Sequence, residues 1–123
     1  MYISNITFEG YNSILKTNWR KGKLPSVKYG FYGDKLTQCN LSLEHLHPHS
    51  KGGKTELSNL VLASQEKNNL RGSRNIKQFA DKQTVLFYLE QFRDIRIPGF
   101  DGNKYIRNIK ATLKGLGFDL SEK

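Results

Sequence analysis

Leu41-Ser42-Leu43-Glu44-His45-Leu46 and Asn59-Leu60-Val61-Leu62-Ala63, joined through the polar stretch from His47 to Ser58, decide how this chain is read. The first run alternates, so Leu41, Leu43 and His45 share one face of a strand while Glu44 points to the other. Pro48 ends that strand, and Gly52, Gly53 and several polar residues mark 47–58 as a defined loop of a length that often carries function. The second run is the return strand. Ser64 then serves as N-cap of a helix from Gln65 toward Arg71, with Glu66 favouring its start. Lys67 stands where a capping box needs Glu or Gln, so the reciprocal cap is absent. The order predicted is strand, loop, strand, helix.

Outward toward the N-terminus, Tyr11, Ile14, Leu15 and Trp19 fall at helical spacing, with Lys16, Arg20, Lys21 and Lys23 on the polar side and Pro25 as the stop. Residues 27–36 read as a β-hairpin turning at Gly33-Asp34. Toward the C-terminus, Asp81 caps a helix over Lys82–Arg93 whose apolar face holds Val85, Leu86, Phe87, Leu89 and Phe92. Pro98-Gly99 breaks the chain. Asp101 caps a last helix from Gly102 to about Lys114, carrying Tyr105, Ile106, Ile109 and Leu113, with Gly115 or Gly117 as its stop. These two helices are expected to cover the hairpin and supply most of the core.

The chain has 123 residues, 37% of them hydrophobic, which predicts one α+β domain over 1–123 with a small core. No repeat or low-complexity segment divides it. Twenty Lys and Arg against eleven Asp and Glu give a net charge of +9, which attracts polyanions and makes nucleic acid the leading partner. No apolar run approaches the ~20 residues of a bilayer span. Met1-Tyr2-Ile3-Ser4-Asn5 shows no secretory pattern, so no membrane partner and a cytoplasmic location are expected. Cys39 is the single cysteine, unable to form an internal disulfide, and is expected to be a small buried hydrophobe.

The segment Glu44-His45, Pro48, Ser50-Lys51-Gly52-Gly53, Ser58-Asn59-Leu60-Val61-Leu62 and Asn68-Asn69-Leu70-Arg71-Gly72 resembles the HNH endonuclease family. The likeness covers roughly a quarter of the chain, with a motif core at 41–72. It implies a ββα-metal core, here with an N-terminal helix and hairpin and two C-terminal packing helices. It also implies metal-dependent hydrolysis of DNA phosphodiester bonds, leaving 5′-phosphate and 3′-hydroxyl ends.

Carried over residue by residue, the resemblance makes His45 the general base, and Glu44 and Asn68 the metal ligands. Asn59 is grouped with the catalytic residues as the amide that holds the loop and orients His45. The residue chemistry suits these roles. An imidazole can take a proton from water near neutral pH when held in one tautomer. A carboxylate and an amide oxygen are hard donors suited to Mg²⁺, with Mn²⁺, Ni²⁺ or Co²⁺ as alternatives. Asn69 competes with Asn68, but the two diverge by about 100° on a helix, so only one faces the ion. Glu44 and His45 share a site only if the strand ends or twists between them.

A zinc site of His45, His47 and His49 is the rival arrangement, set against by Pro48. Many relatives hold a structural zinc on two cysteine pairs. Ser64 and Lys67 stand where the later pair would be, so no structural zinc is expected.

Double-stranded DNA is expected to meet Lys51, Lys54, Lys67, Arg71 and Arg74, each able to neutralise a phosphate. Arg20-Lys21, Lys23, Lys104, Arg107, Lys110 and Lys114 extend the basic surface, and no base-reading module is visible. The motif occurs once, which fits a nicking monomer or a homodimer. The competing reading is a non-catalytic or accessory nucleic-acid-binding protein of a phage or mobile-element packaging machine.

Overall fold

The structure is a computed structural model that describes residues 14–48 and 51–120, so the expectations placed on Tyr11, His49 and Ser50 lie outside the described residues. Within them the chain is an α+β protein of five α-helices and two small antiparallel sheets. None of these helices is long and apolar enough to cross a membrane.

Helix α1 (Ile14–Arg20) buries Leu15 and half-buries Trp19, whose indole Nε1–H donates to Val27 O at 2.7 Å. Its stop is Gly22, not Pro25. Gly22 takes φ +76°, Lys23 N–H reaches back to Asn18 O, and Gly22 N–H to Trp19 O, the pattern that closes a helix on a left-handed glycine. The expected hairpin at 27–36 is reduced to one antiparallel bridge between Tyr29 and Lys35. Gly30 N–H bonds Asp34 O around a turn with Gly33 at φ +88°. The ladder goes no further outward because Lys28 N–H, which would return the bond that Leu36 N–H gives Lys28 O, donates instead to Gln91 Oε1 at 2.9 Å; inside the turn, Phe31 N–H bonds Leu62 O at 2.8 Å.

Strand β1 (Leu41–His45) pairs antiparallel with β2 (Leu60–Ser64) in the register Leu41↔Ser64, Leu43↔Leu62 and His45↔Leu60. Asn59 is not in the strand but in a 3-10 turn, Leu57–Asn59, that feeds it. Ser64 Oγ accepts from Lys67 N–H at 3.1 Å and starts helix α2 (Gln65–Arg71), which packs on both strands. Two strands alone are marginal, and β2 has an open edge opposite β1. That edge is filled group by group: Leu60 O accepts from Tyr105 Oη at 2.8 Å, Leu62 N–H donates to Tyr88 Oη at 2.9 Å, and Ser64 N–H donates to Asp34 Oδ2 at 2.7 Å. With Phe31 on Leu62 O, four substitutes take the place of a third strand.

Two hydroxyls of that edge ride on the C-terminal helices. A short helix α3 (Ile76–Phe79), which the sequence did not announce, leads into α4 (Lys82–Glu90). Asp81 caps α4 by accepting from Thr84 N–H at 3.0 Å, and the helix ends at Glu90 rather than Arg93, followed by turns. The two-residue strands β3 (Arg96–Ile97) and β4 (Phe100–Asp101) fold about Pro98-Gly99 and deliver Asp101 as the cap of α5 (Gly102–Gly115). Tyr88, Phe92 and Tyr105 form the aromatic centre of the core, with ring centroids 5.1 and 4.8 Å apart in edge-on pairs. Val61, Leu62, Ile109 and Leu113 close around it. Cys39 is exposed, correcting the expectation of a buried thiol.

Candidate functional site

Helix α2 lies across the face of β1 that carries Ser42 and Glu44. Asn68 and Arg71, three residues apart, share one side of the helix and both reach that strand. Asn68 Nδ2 donates to Ser42 Oγ and to Leu43 O, each at 3.1 Å. Asn68 and Glu44 are thereby brought to the same strand face, and Asn69 is exposed on another side of the helix.

Glu44 is buried, with only 5% of its surface exposed. Its Oε2 accepts from Tyr32 Oη at 2.5 Å and from Arg71 Nη1 at 3.0 Å. Burial pushes the Glu44 carboxyl above its ordinary value, against the opposing pull of the Tyr32 hydroxyl and the Arg71 guanidinium. Burial, reinforced by the neighbouring Glu44 charge, also drives the Tyr32 hydroxyl far upward, so Tyr32 remains a proton donor to the carboxylate.

Arg71 overturns its sequence expectation. It was placed among the phosphate contacts, yet it is 1% exposed and its donors all point inward. Besides Glu44, Nη1 donates to His45 O at 2.7 Å, Nη2 to Leu46 O at 2.7 Å, and Nε to Arg74 O at 2.8 Å. A planar guanidinium matches this set of a carboxylate and successive carbonyls at a strand end, which an ammonium would not. Arg71 is a structural clamp rather than a DNA contact.

His45 closes β1, and because the ladder runs regularly through it the strand neither ends nor twists between Glu44 and His45. The His45 side chain falls on the face opposite Glu44 and Asn68, with its ring Nε2 3.0 Å from Thr55 Oγ1 in the loop. Asn59 is buried and spans that loop. Its Oδ1 accepts from His47 N–H at 2.9 Å, and its Nδ2 donates to His47 O at 3.2 Å and Lys54 O at 2.8 Å. Gly53 is required by close approach, since a Cβ there would stand 1.8 Å from His47 O. The His47 ring is turned to Lys51 O at 3.0 Å. Among the described residues no group of three or more His, Cys, Asp and Glu side chains gathers as a metal site.

The donor chemistry at Glu44 and Asn68 fits a hard divalent ion. The Glu44 carboxylate, which accepts from Tyr32, Arg71 and the His45 backbone, and the Asn68 amide, both of whose bonds leave through Nδ2, are the hard oxygen donors that Mg²⁺ prefers. Glu44 and Asn68 would hold such an ion.

Of the other cations expected on DNA, Lys51, Lys54 and Arg74 are exposed and Lys67 is half-buried. Arg74 is partly committed: its guanidinium stacks 4.8 Å from the Phe79 ring centroid and also donates to Arg71 O and Leu70 O.

Tyr32 and Thr55 are the site residues that the sequence did not disclose. Tyr32 sits in the 27–36 turn, far along the chain from Glu44, and Thr55 is one hydroxyl in a polar loop; no periodicity or motif singles out either. No family model matches the chain, and neither a curated protein nor a solved structure matches it.

Proposed function

We propose that this chain is a divalent-metal-dependent endonuclease of the HNH type, hydrolysing phosphodiester bonds of double-stranded DNA. The observation that carries the reading is that Glu44 and Asn68 share one face of β1, at whose last residue His45 meets, from the opposite face, the loop that Asn59 fastens.

In this reading His45 accepts the proton of the attacking water, with its ring orientation set by Thr55 on Nε2. Asn59 holds the backbone of His47 and of Lys54, and so keeps the neighbouring Thr55 at a fixed distance from the imidazole. Glu44 and Asn68 hold the ion, which when bound supplies positive charge for the developing phosphorane and the leaving oxygen. Lys51 and Lys54, exposed on the loop, hold the flanking phosphates. The basic surface is unspecific in character, which fits cleavage with little sequence preference.

A second reading is supported by one observation: Oε2 of Glu44 is already satisfied inside the protein, as it would be in an accessory nucleic-acid-binding protein without catalysis. Supercoiled plasmid incubated with the purified protein separates the two. The nuclease reading expects nicked or linear product with Mg²⁺ and none in EDTA; DNA binding with no product in Mg²⁺, Mn²⁺, Ni²⁺ or Co²⁺ would favour the accessory reading.

A further inference from the structure

The ion pair at Glu44 leaves a charge balance that the nuclease reading alone does not address. Glu44 contributes one negative charge and Arg71, 3.0 Å away and equally buried, contributes one positive charge. Asn68 is neutral. The pair is therefore neutral before any cation arrives, whereas a carboxylate site for a divalent ion ordinarily offers net negative charge. Arg71 cannot swing aside cheaply, because its other donors are fixed on His45 O, Leu46 O and Arg74 O. A divalent ion entering beside Glu44 would thus bring two uncompensated positive charges next to a fixed guanidinium, in a place where water screens poorly. A phosphodiester supplies a negative charge at that point and oxygen ligands as well.

We propose that Arg71 is an internal counter-ion that neutralises Glu44 and so makes tight cation loading of this site depend on the presence of a phosphodiester. The inference rests on the nuclease reading for the identity of the site and deepens it by specifying how that site is regulated. Linkage makes the dependence reciprocal: DNA tightens cation binding by the same factor by which the cation tightens DNA binding.

Mn²⁺ binding followed by the electron paramagnetic resonance signal of the free ion tests this on the full chain. The His45→Ala variant is used with duplex DNA so that the substrate persists, and Glu44→Gln measured in parallel subtracts Mn²⁺ held by DNA itself. The expected result is that duplex DNA tightens Mn²⁺ binding at least about tenfold, within the usual range of coupling between two ligands. Without DNA, Arg71→Met tightens it by a similar factor, while Arg71→Lys, which keeps the charge, stays near wild type. Mn²⁺ affinity indifferent to DNA overturns the proposal, and that measurement needs no Arg71 variant to fold. Arg71→Met binding no better than wild type, in a protein whose circular dichroism shows it folded, overturns it as well. Coupling without plasmid cleavage would instead sink the nuclease reading and leave the counter-ion intact.

Discussion

The strand-end loop and the C-terminal aromatic core hold their backbones by opposite means. In the core, Tyr88 and Tyr105 ride on helices that satisfy their own backbone bonds, and both meet Phe92, in the turns after α4, edge-on. The two tyrosine hydroxyls of that aromatic centre bond Leu62 N–H and Leu60 O of β2. Around the loop the backbone is irregular, and buried polar side chains do the holding: Asn59 answers for His47 and Lys54, and Arg71 for His45 and Leu46. Apolar burial is non-directional and stabilises the whole domain, whereas a buried amide or guanidinium fixes particular atoms in place. Candidate chemistry sits where direction matters.

That contrast can be broken from either side. Phe92→Ala should cost about 3–5 kcal/mol by emptying the aromatic centre, lowering the melting temperature of the whole domain in a single transition. Loop amides should then lose hydrogen-exchange protection only through global unfolding. Asn59→Ala should cost less, about 1–3 kcal/mol for the stranded backbone groups, but its effect should be local. Hydrogen exchange is expected to rise at 47–54 well before the core opens. Uniform destabilisation by Asn59→Ala would erase the distinction.

The smallest effect concerns the helix cap. Hydrogen bonds from Thr84 N–H and the Thr84 hydroxyl hold the Asp81 carboxyl below its ordinary value of 3.8. A carboxyl depressed in the folded state contributes stability that is complete above 3.8 and is lost as pH falls through the lower folded value. Asp81→Asn keeps the cap acceptor and loses the titration, so its acid unfolding curve should be shallower below pH 3.8 than the wild type's. Parallel curves would show that the cap charge is idle.

Local rules made the central unit legible. Alternation over Leu41–His45, the caps Ser64, Asp81 and Asp101, and the apolar faces of the last two helices each depend on neighbours within a few residues. What was illegible depends on partners far along the chain. The 27–36 hairpin shrank because Lys28 N–H is taken by the Gln91 side chain 63 positions away, and Arg71 withdrew from the surface because Glu44 lies 27 positions away with an unanswered charge. Tyr32 joined the site for the same reason. A basic residue on a short helix after a strand looks solvated in sequence; only the fold reveals the carboxylate and carbonyls beneath it.

The most direct measurement is the rate at which supercoiled plasmid is converted in Mg²⁺ by wild type and by His45→Ala, with DNA affinity measured alongside. Loss of the general base should slow conversion by at least about a hundredfold while binding stays within a factor of about two. Equal cutting by the two proteins would contradict the account.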